Sequence, residues 1–448
     1  MESETRKKIS FGIGAVGKDM VYALVSGFIL YYYNTVLGIS GTFTGIMMMA
    51  ARAFDAFNDP FMGVVVEKTK TRFGKFRPWI FTGTLTNALI LYGMFSIPKS
   101  LSGSRLLIYA SFFYVLWGVT YTMMDIPFWS MIPAITKAGK DRENLSVIGR
   151  GASTVGFAIP TVLTMLLVNR IAGGERVAFS YIALGIGLIF IVTELICVWG
   201  VKETNAKEKV STSTIREMFA ALFANDQAMV VVVSIILFNS SLYLTTQLAL
   251  YFFKFDIGNS DLYSLFGTVG GAGQFLSMLS LPLLRKKWGS KEILTGAIST
   301  TIAGYLLLFA FASMQVKAIL PLALTAFIIY LGFGLATVLT TVFLADTVDY
   351  GEYKFGQRNE SLIFSMQTFV VKLASALSVL LAGIGIDLIG LDVKAVSQRA
   401  SSLMGLRMLM TLLPILGLVV SILFFRKRYK LSEEENKKIS EALRKDQK

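Results

Sequence analysis

Apolar stretches of roughly twenty residues recur about twelve times along the chain, separated by short polar breaks, and about twenty apolar residues is the length a helix needs to cross a bilayer. The pattern predicts helices over 10–34, 41–66, 79–98, 105–135, 145–170, 177–200, 228–253, 261–284, 292–313, 318–343, 360–389 and 403–425. Near the midpoint it breaks into a polar segment at 201–227, leaving six helices on either side. The expected architecture is an all-α integral membrane protein. It comprises an N-terminal six-helix bundle at 1–200, a middle linker at 201–227, a C-terminal six-helix bundle at 228–426 and a tail at 427–448. The turn after the second helix, Thr71 to Arg77, and the turn after the eighth, Lys286 to Lys291, both read as basic, aromatic-Gly, basic. Their matching places suggest an internal repeat. Two pseudo-symmetric halves are the build of a rocking transporter.

Composition narrows the class. The 448 residues are 54% hydrophobic and only 16% charged, with a mean hydropathy of +0.62. Soluble enzymes, disulfide scaffolds and disordered regulators are excluded, since soluble domains carry about 25% charged residues. The first span contains Lys18 and Asp19 and has no small-residue cleavage site, so it reads as a retained helix and not a signal peptide. Cys197 is the single cysteine, and there is no histidine. Proton or cation chemistry must therefore run through carboxylates.

The net charge of +14 is explained by its placement. When the loops alternate between two sides, 30 of the 43 Lys and Arg fall with the termini and the linker, 8 fall on the opposite side and 5 lie within spans. The positive-inside rule puts the termini in the cytoplasm. The basic balance then reflects orientation and contact with anionic lipid, not nucleic-acid binding.

Charges inside a bilayer are costly and ask for a function. The second helix holds Arg52, Asp55, Asn58 and Asp59, with Asp55 and Asp59 on one face at i,i+4. Two such carboxylates suit a small hard cation with oxygen ligands, or a shared proton. The bland alternative is an Arg52–Asp55 bridge. On the fourth helix Thr122, Asp125 and Trp129 share a stripe next to Tyr121. A carboxylate that accepts hydroxyl pairs beside an indole that stacks on C–H faces fits a sugar, and Thr122 could lend an oxygen to the cation. Lys18 and Asp19 on the first helix and Arg150 on the fifth lie at membrane depth, while the eleventh carries Gln367, Thr368 and Lys372. Arg407 reads as a structural residue that snorkels, and Glu194 as a structural residue of the sixth helix. Asp346, Asp349 and Arg358 fall in an expected cytoplasmic loop, where a bridge from Arg142 to Asp346 or Asp349 would close the inner gate.

The strings Gly17-Lys18-Asp19, Ala51 to Pro60, Gly74 to Trp79, Tyr121 to Ser130, Asp349 to Tyr353, and Gln367-Thr368 with Lys372 together resemble the glycoside–pentoside–hexuronide:cation symporter family of the major facilitator superfamily. The resemblance extends over both halves. It implies the major facilitator fold and cation-coupled uptake of a glycoside through a bacterial inner membrane, with no cofactor and a monomer as the working unit. It implies that Asp55, Asn58, Asp59 and Thr122 hold sodium, lithium or a proton. Lys18, Asp19, Tyr121, Asp125, Trp129 and Arg150 would contact the sugar, and Lys372, with Arg52 and Thr368, would couple the two sites. Melibiose-type members have a tryptophan on the tenth helix where this chain has Thr337, and the segment around Arg150 also differs, so α-galactoside specificity does not carry over. The chain ends shortly after the twelfth helix, with no room for an appended regulatory domain. An intramembrane enzyme lacks a nucleophile elbow and a metal set, and no filter-like loop suggests a channel. A carrier of amphiphiles or another organic solute on the same fold is the alternative.

Overall fold

A computed structural model describes the chain apart from residues 1, 137–139, 202, 204–222, 356–359, 394, 396 and 447–448. Thirteen α-helices run through the described residues and divide into two compact units, Met1–Thr212 and Ser213–Lys448. The first unit holds α1 (Glu2–Tyr31), α2 (Gly41–Lys68), α3 (Arg77–Phe95), α4 (Gly103–Ile135), α5 (Lys140–Val168) and α6 (Glu175–Gly200). The second holds α7 (Asp226–Tyr251), α8 (Asp261–Leu284), α9 (Ser290–Ser313), α10 (Ile319–Phe355), α11 (Glu360–Leu388), α12 (Ala400–Arg428) and α13 (Glu433–Asp446). Nine of the helices, among the described residues, are long and apolar enough to cross a membrane. The charge-bearing α2, together with α3 and α8, is not among them.

The internal repeat is visible in the packing. In the first unit α1 lies against α5 and α6, α3 against α4 and α6, and α2 against α4. In the second, α7 lies against α11 and α12, α9 against α10 and α12, and α8 against α10. Each pairing recurs six helices later. The leading helix of each unit also ends in a π-helical turn, Tyr32–Val36 after α1 and Phe252–Ile257 after α7. The first of these turns is fixed by buried tyrosines whose hydroxyls find acceptors, as apolar rings with a polar tip require. Tyr31 donates to Glu175 at 2.7 Å, Tyr32 to the Phe95 carbonyl at 2.9 Å and Tyr33 to the Ala110 carbonyl at 3.2 Å.

The α2–α3 turn and its counterpart are each capped by a carboxylate that follows the sixth helix of the unit. Glu203 accepts from the backbone N–H groups of Lys75 (2.6 Å), Phe76 (2.9 Å) and Arg77 (3.0 Å) at the start of α3. A carboxylate is well placed there, because the first N–H groups of a helix have no internal acceptor. Gly74 at φ +105° leaves the space that the Glu203 carboxylate fills. In the second unit Ser290 N–H donates to Glu433 at 3.2 Å, and Arg285 pairs with the same carboxylate at 3.8 Å.

The structure departs from expectation in three places. The segment around Asp346 to Glu352 is not a loop, for α10 continues through it to Phe355. Its turns bear on other helices: Asp226 accepts from Tyr350 and from Lys354. The tail contains α13, which packs on α10. Arg407 does not snorkel. It forms a two-bonded pair with Asp256 at 2.8 and 2.6 Å, and both residues are buried. Large apolar side chains such as Leu89, Ile108 and Leu388 face outward, as a bilayer-embedded exterior demands.

Candidate substrate and cation sites

The first unit gathers its charges at the junction of α1, α4 and α5. Lys18 of α1 is buried, and its ammonium lies 2.7 Å from Asp125 Oδ1, 3.2 Å from Asp19 Oδ2 and 3.3 Å from the Tyr121 hydroxyl. The Tyr121 hydroxyl accepts a hydrogen bond from Lys18, and the two aspartates are its ion-pair partners. Asp125 also accepts from Trp129 Nε1 at 3.1 Å, one turn along α4. The Trp129 ring carries the Arg150 guanidinium at 4.3 Å and has the Lys18 ammonium at 5.1 Å. Gly149 makes this stacking possible, since a Cβ there would meet Phe11 at 2.8 Å and Trp129 at 3.3 Å. All six residues expected to contact substrate are thus brought together. Asp125 retains partial exposure, at 26% of its side chain, against 3% for Lys18. A hydroxyl-rich solute approaching Asp125 would find a carboxylate, a cation and two aromatic faces in one place.

The second cluster lies where α2 meets α4. Asp55 is buried, and Arg52 lies 3.7 Å from it, a long contact for an ion pair. It faces α4 at Gly118, where an added Cβ would stand 3.1 Å from Asp55 Oδ1. One turn further along both helices, Thr122 donates to Asp59 Oδ1 at 3.0 Å. The pairs Asp55–Gly118 and Asp59–Thr122 therefore zip the two helices at i,i+4 on each. Asn58 Nδ2 is buried without a hydrogen-bond partner. Asp55, Asp59 and the Thr122 hydroxyl thus fall within one turn of each other along the α2–α4 seam, oxygen groups of the kind a hard cation takes.

Helix α4 connects the clusters. Thr122 reaches Asp59, while Asp125 and Trp129, one and two turns on, belong to the Lys18 cluster. The remaining predicted residues fall in the second unit or have side chains outside the described residues. Lys372 is on α11 in the second unit and Asp349 is on α10. Asp346 accepts from Asn436 of α13 at 2.8 Å. The side chains of Arg142 and Thr368 lie outside the described residues, as does Arg358 altogether.

Sequence reasoning missed an aromatic column between the clusters. Tyr22 stands 5.7 Å from Tyr121 and 6.4 Å from Trp117, and Trp117 stacks on Tyr121 at 5.3 Å. The Arg52 guanidinium lies 5.7 Å from the Tyr22 ring. The signal was present: Tyr22 follows Lys18, and Tyr121 follows Trp117, by one helical turn.

Helix pairs repeated in two units around buried charges define a membrane transporter and not an enzyme. Residues 10–433 match the family described as MFS/sugar transport protein, and the chain belongs to that family. It is 28% identical to the inner membrane symporter YicJ of Escherichia coli, over 99% of this chain and 96% of that one. It is 26% identical to the lactose permease of Lactobacillus delbrueckii subsp. bulgaricus, over 99% of this chain and 73% of that protein. Among solved structures, a bacterial homolog of the human lysosomal transporter Spinster, inward-facing and unoccupied, aligns with a TM-score of 0.72 at 12% identity, covering 96% of this chain and 99% of that one.

Proposed function

We propose that the chain is a cation-coupled symporter that imports a glycoside through the bacterial inner membrane by alternating access, with twelve spans and both termini in the cytoplasm. The observation that carries this reading is the sharing of α4 between two polar clusters: Thr122 bonds Asp59 of the carboxylate pair, and Asp125 with Trp129 meets Lys18. A sodium ion, lithium ion or proton entering at Asp55, Asn58, Asp59 and Thr122 relieves the repulsion of the two carboxylates and fixes α2 against α4. That sets Asp125 and Trp129 for the sugar. Sugar hydroxyls bond the Asp125 carboxylate, with Lys18, Asp19, Tyr121 and Arg150 around them. By linkage the sugar tightens cation binding as much as the cation tightens sugar binding, ordinarily by about 1–3 kcal/mol. Kinship to a lactose permease and a named symporter supports a sugar and a coupled cation. Arg52, Thr368 and Lys372 are assigned to coupling.

The test is uptake in membrane vesicles of labelled lactose, raffinose, xylosides and glucuronides under an imposed sodium or proton gradient. Gradient-driven accumulation of one of these sugars is expected. It should disappear in Asp59→Cys, which keeps carrier-mediated exchange, and Asp125→Ala should abolish sugar binding altogether. Concentrative uptake that persists in Asp59→Cys refutes the cation assignment. Failure of the whole sugar panel against robust uptake of an amphiphile or organic acid refutes the glycoside.

A further inference from the structure

Glu194 lies on α6 and is 1% exposed, and neither of its carboxylate oxygens has a hydrogen-bond partner among the described residues. The α1–α6 packing shows what it faces. The two helices approach closely in antiparallel register: a Cβ on Gly200 would meet Ser10, one on Gly14 would meet Cys197 at 2.8 Å, and one on Gly17 would meet Thr193 and Phe190. Glu194 sits one turn from Cys197 and one turn from Phe190, on the stripe that faces Gly14 to Lys18. The Gly14 position also touches Phe128 at 3.1 Å, three residues beyond Asp125 on α4. Charged groups that act on Glu194 are Lys18 and Asp19 from α1 and Asp125 from α4. The titratable neighbours are Tyr121 of α4 and Cys197 of its own helix, and Arg77 of α3 acts on Cys197.

Lys18 is the cation of this group, and its ammonium stands against Asp125, Asp19 and the Tyr121 hydroxyl, while the two Glu194 oxygens have no hydrogen-bond partner among the described residues. Ionised, Glu194 would be a buried, unpaired negative charge beside two other carboxylates, and a group in that position neutralises instead. We infer that Glu194 is a second exchangeable cation site of this unit, one that takes a proton, separate from the Asp55–Asp59 pair. Its proton is held while Lys18 is committed to Asp125. It is released when a Lys18 donor becomes available to the Glu194 carboxylate, or when alkaline solution removes it. The carboxyl O–H bond breaks, the electron pair stays on the carboxylate, and the proton goes to water, or to hydroxide in alkaline solution.

The inference deepens the symport reading, but its test needs neither sugar nor a sodium gradient, so the two can fail separately. Infrared difference spectra are recorded on the full-length protein in liposomes as the buffer is taken from neutral to alkaline pH. The wild type is expected to show the carbonyl stretch of a protonated carboxyl at neutral pH, lost on alkalinisation with release of one proton per chain more than Glu194→Gln releases. Glu194→Gln should lack that band and that proton. Glu194→Asp, which keeps the charge and shortens the arm, should show the band at a shifted position and with a shifted midpoint. Superimposable spectra for wild type and Glu194→Gln across the titration would overturn the proposal, as would a wild-type band that survives to the alkaline limit. If Glu194→Gln does not fold, a band in Glu194→Asp unchanged in position and midpoint overturns it equally.

Discussion

Replacing Thr122 by valine tests whether α4 carries the coupling. Valine has the shape of threonine, so packing at this buried position is kept and only the hydroxyl is lost. The hydroxyl now donates to Asp59 at 3.0 Å and has lone pairs to spare for a cation. In the occupied site the hydroxyl oxygen would instead face the cation, a dipole–charge contact of the same order as a hydrogen bond to a charged group, about 1.5–3 kcal/mol. At about 1.4 kcal/mol per tenfold, Thr122→Val should weaken sodium binding roughly 10- to 100-fold. Asp125, Lys18 and Trp129 keep their contacts, so sugar affinity without sodium should be unchanged. At a sodium concentration that saturates the wild type, the stimulation of sugar binding should largely vanish in the variant and return at higher sodium. Thr122→Ser, which restores the oxygen, should behave as wild type. Isothermal titration of a transported sugar at several fixed sodium concentrations reads all of this. Wild-type sodium dependence in Thr122→Val would show that the hydroxyl is no part of the cation site. An equal loss of sugar affinity with and without sodium would show damage to α4 instead of broken coupling.

Two further expectations concern the scaffold. Glu203→Ala should leave three N–H groups at the start of α3 without their carboxylate and lower stability by about 1–3 kcal/mol, read as a drop in melting temperature in detergent, with substrate selectivity untouched. Removing one member of the Asp256–Arg407 pair, as in Asp256→Leu, should cost about 3–5 kcal/mol by stranding a buried charge, while the double change Asp256→Leu with Arg407→Met should recover most of it. Equal melting temperatures for the single and double variants would disprove that account of the pair.

The helices were legible because a bilayer-length apolar run is a strong signal, and their ends were less so. Asp346 to Glu352 reads as a polar loop, yet α10 runs through it because Asp226 and Asn436 from other helices satisfy its side chains. Such partners lie 90 or more residues away and leave no local trace. The same reason hid the Arg407–Asp256 pair, whose members are 151 residues apart. The carboxylate pair at Asp55 and Asp59 was visible, since helical spacing alone puts both on one face. That Lys18 bonds Asp125, Asp19 and Tyr121 together was not visible, because periodicity tells which way a side chain points and not what meets it. Glu194 poses the converse case. An acid deep in the apolar stretch of α6 looks structural in the sequence, and only the structure shows that neither of its oxygens has a hydrogen-bond partner among the described residues.

The two units share one packing scheme but not one chemistry, and the difference bears on how a carrier recognises what it binds. On α1 the buried polar residues include the charged Lys18, while on its counterpart α7 they are neutral, among them Asn239, Ser240, Ser241, Thr245 and Gln247. The ammonium–carboxylate cluster on α1 thus has no charged counterpart on α7. Both partners of Asp125, the Lys18 ammonium and the Trp129 indole N–H, bond its Oδ1, at 2.7 and 3.1 Å, and a carboxylate has lone pairs for more than two donors. On the proposed reading a solute hydroxyl would bond the other oxygen while these internal contacts stay in place. The cluster would then be a preformed template, and discrimination would rest on whether the solute's remaining hydroxyls fit beside the ammonium and the indole.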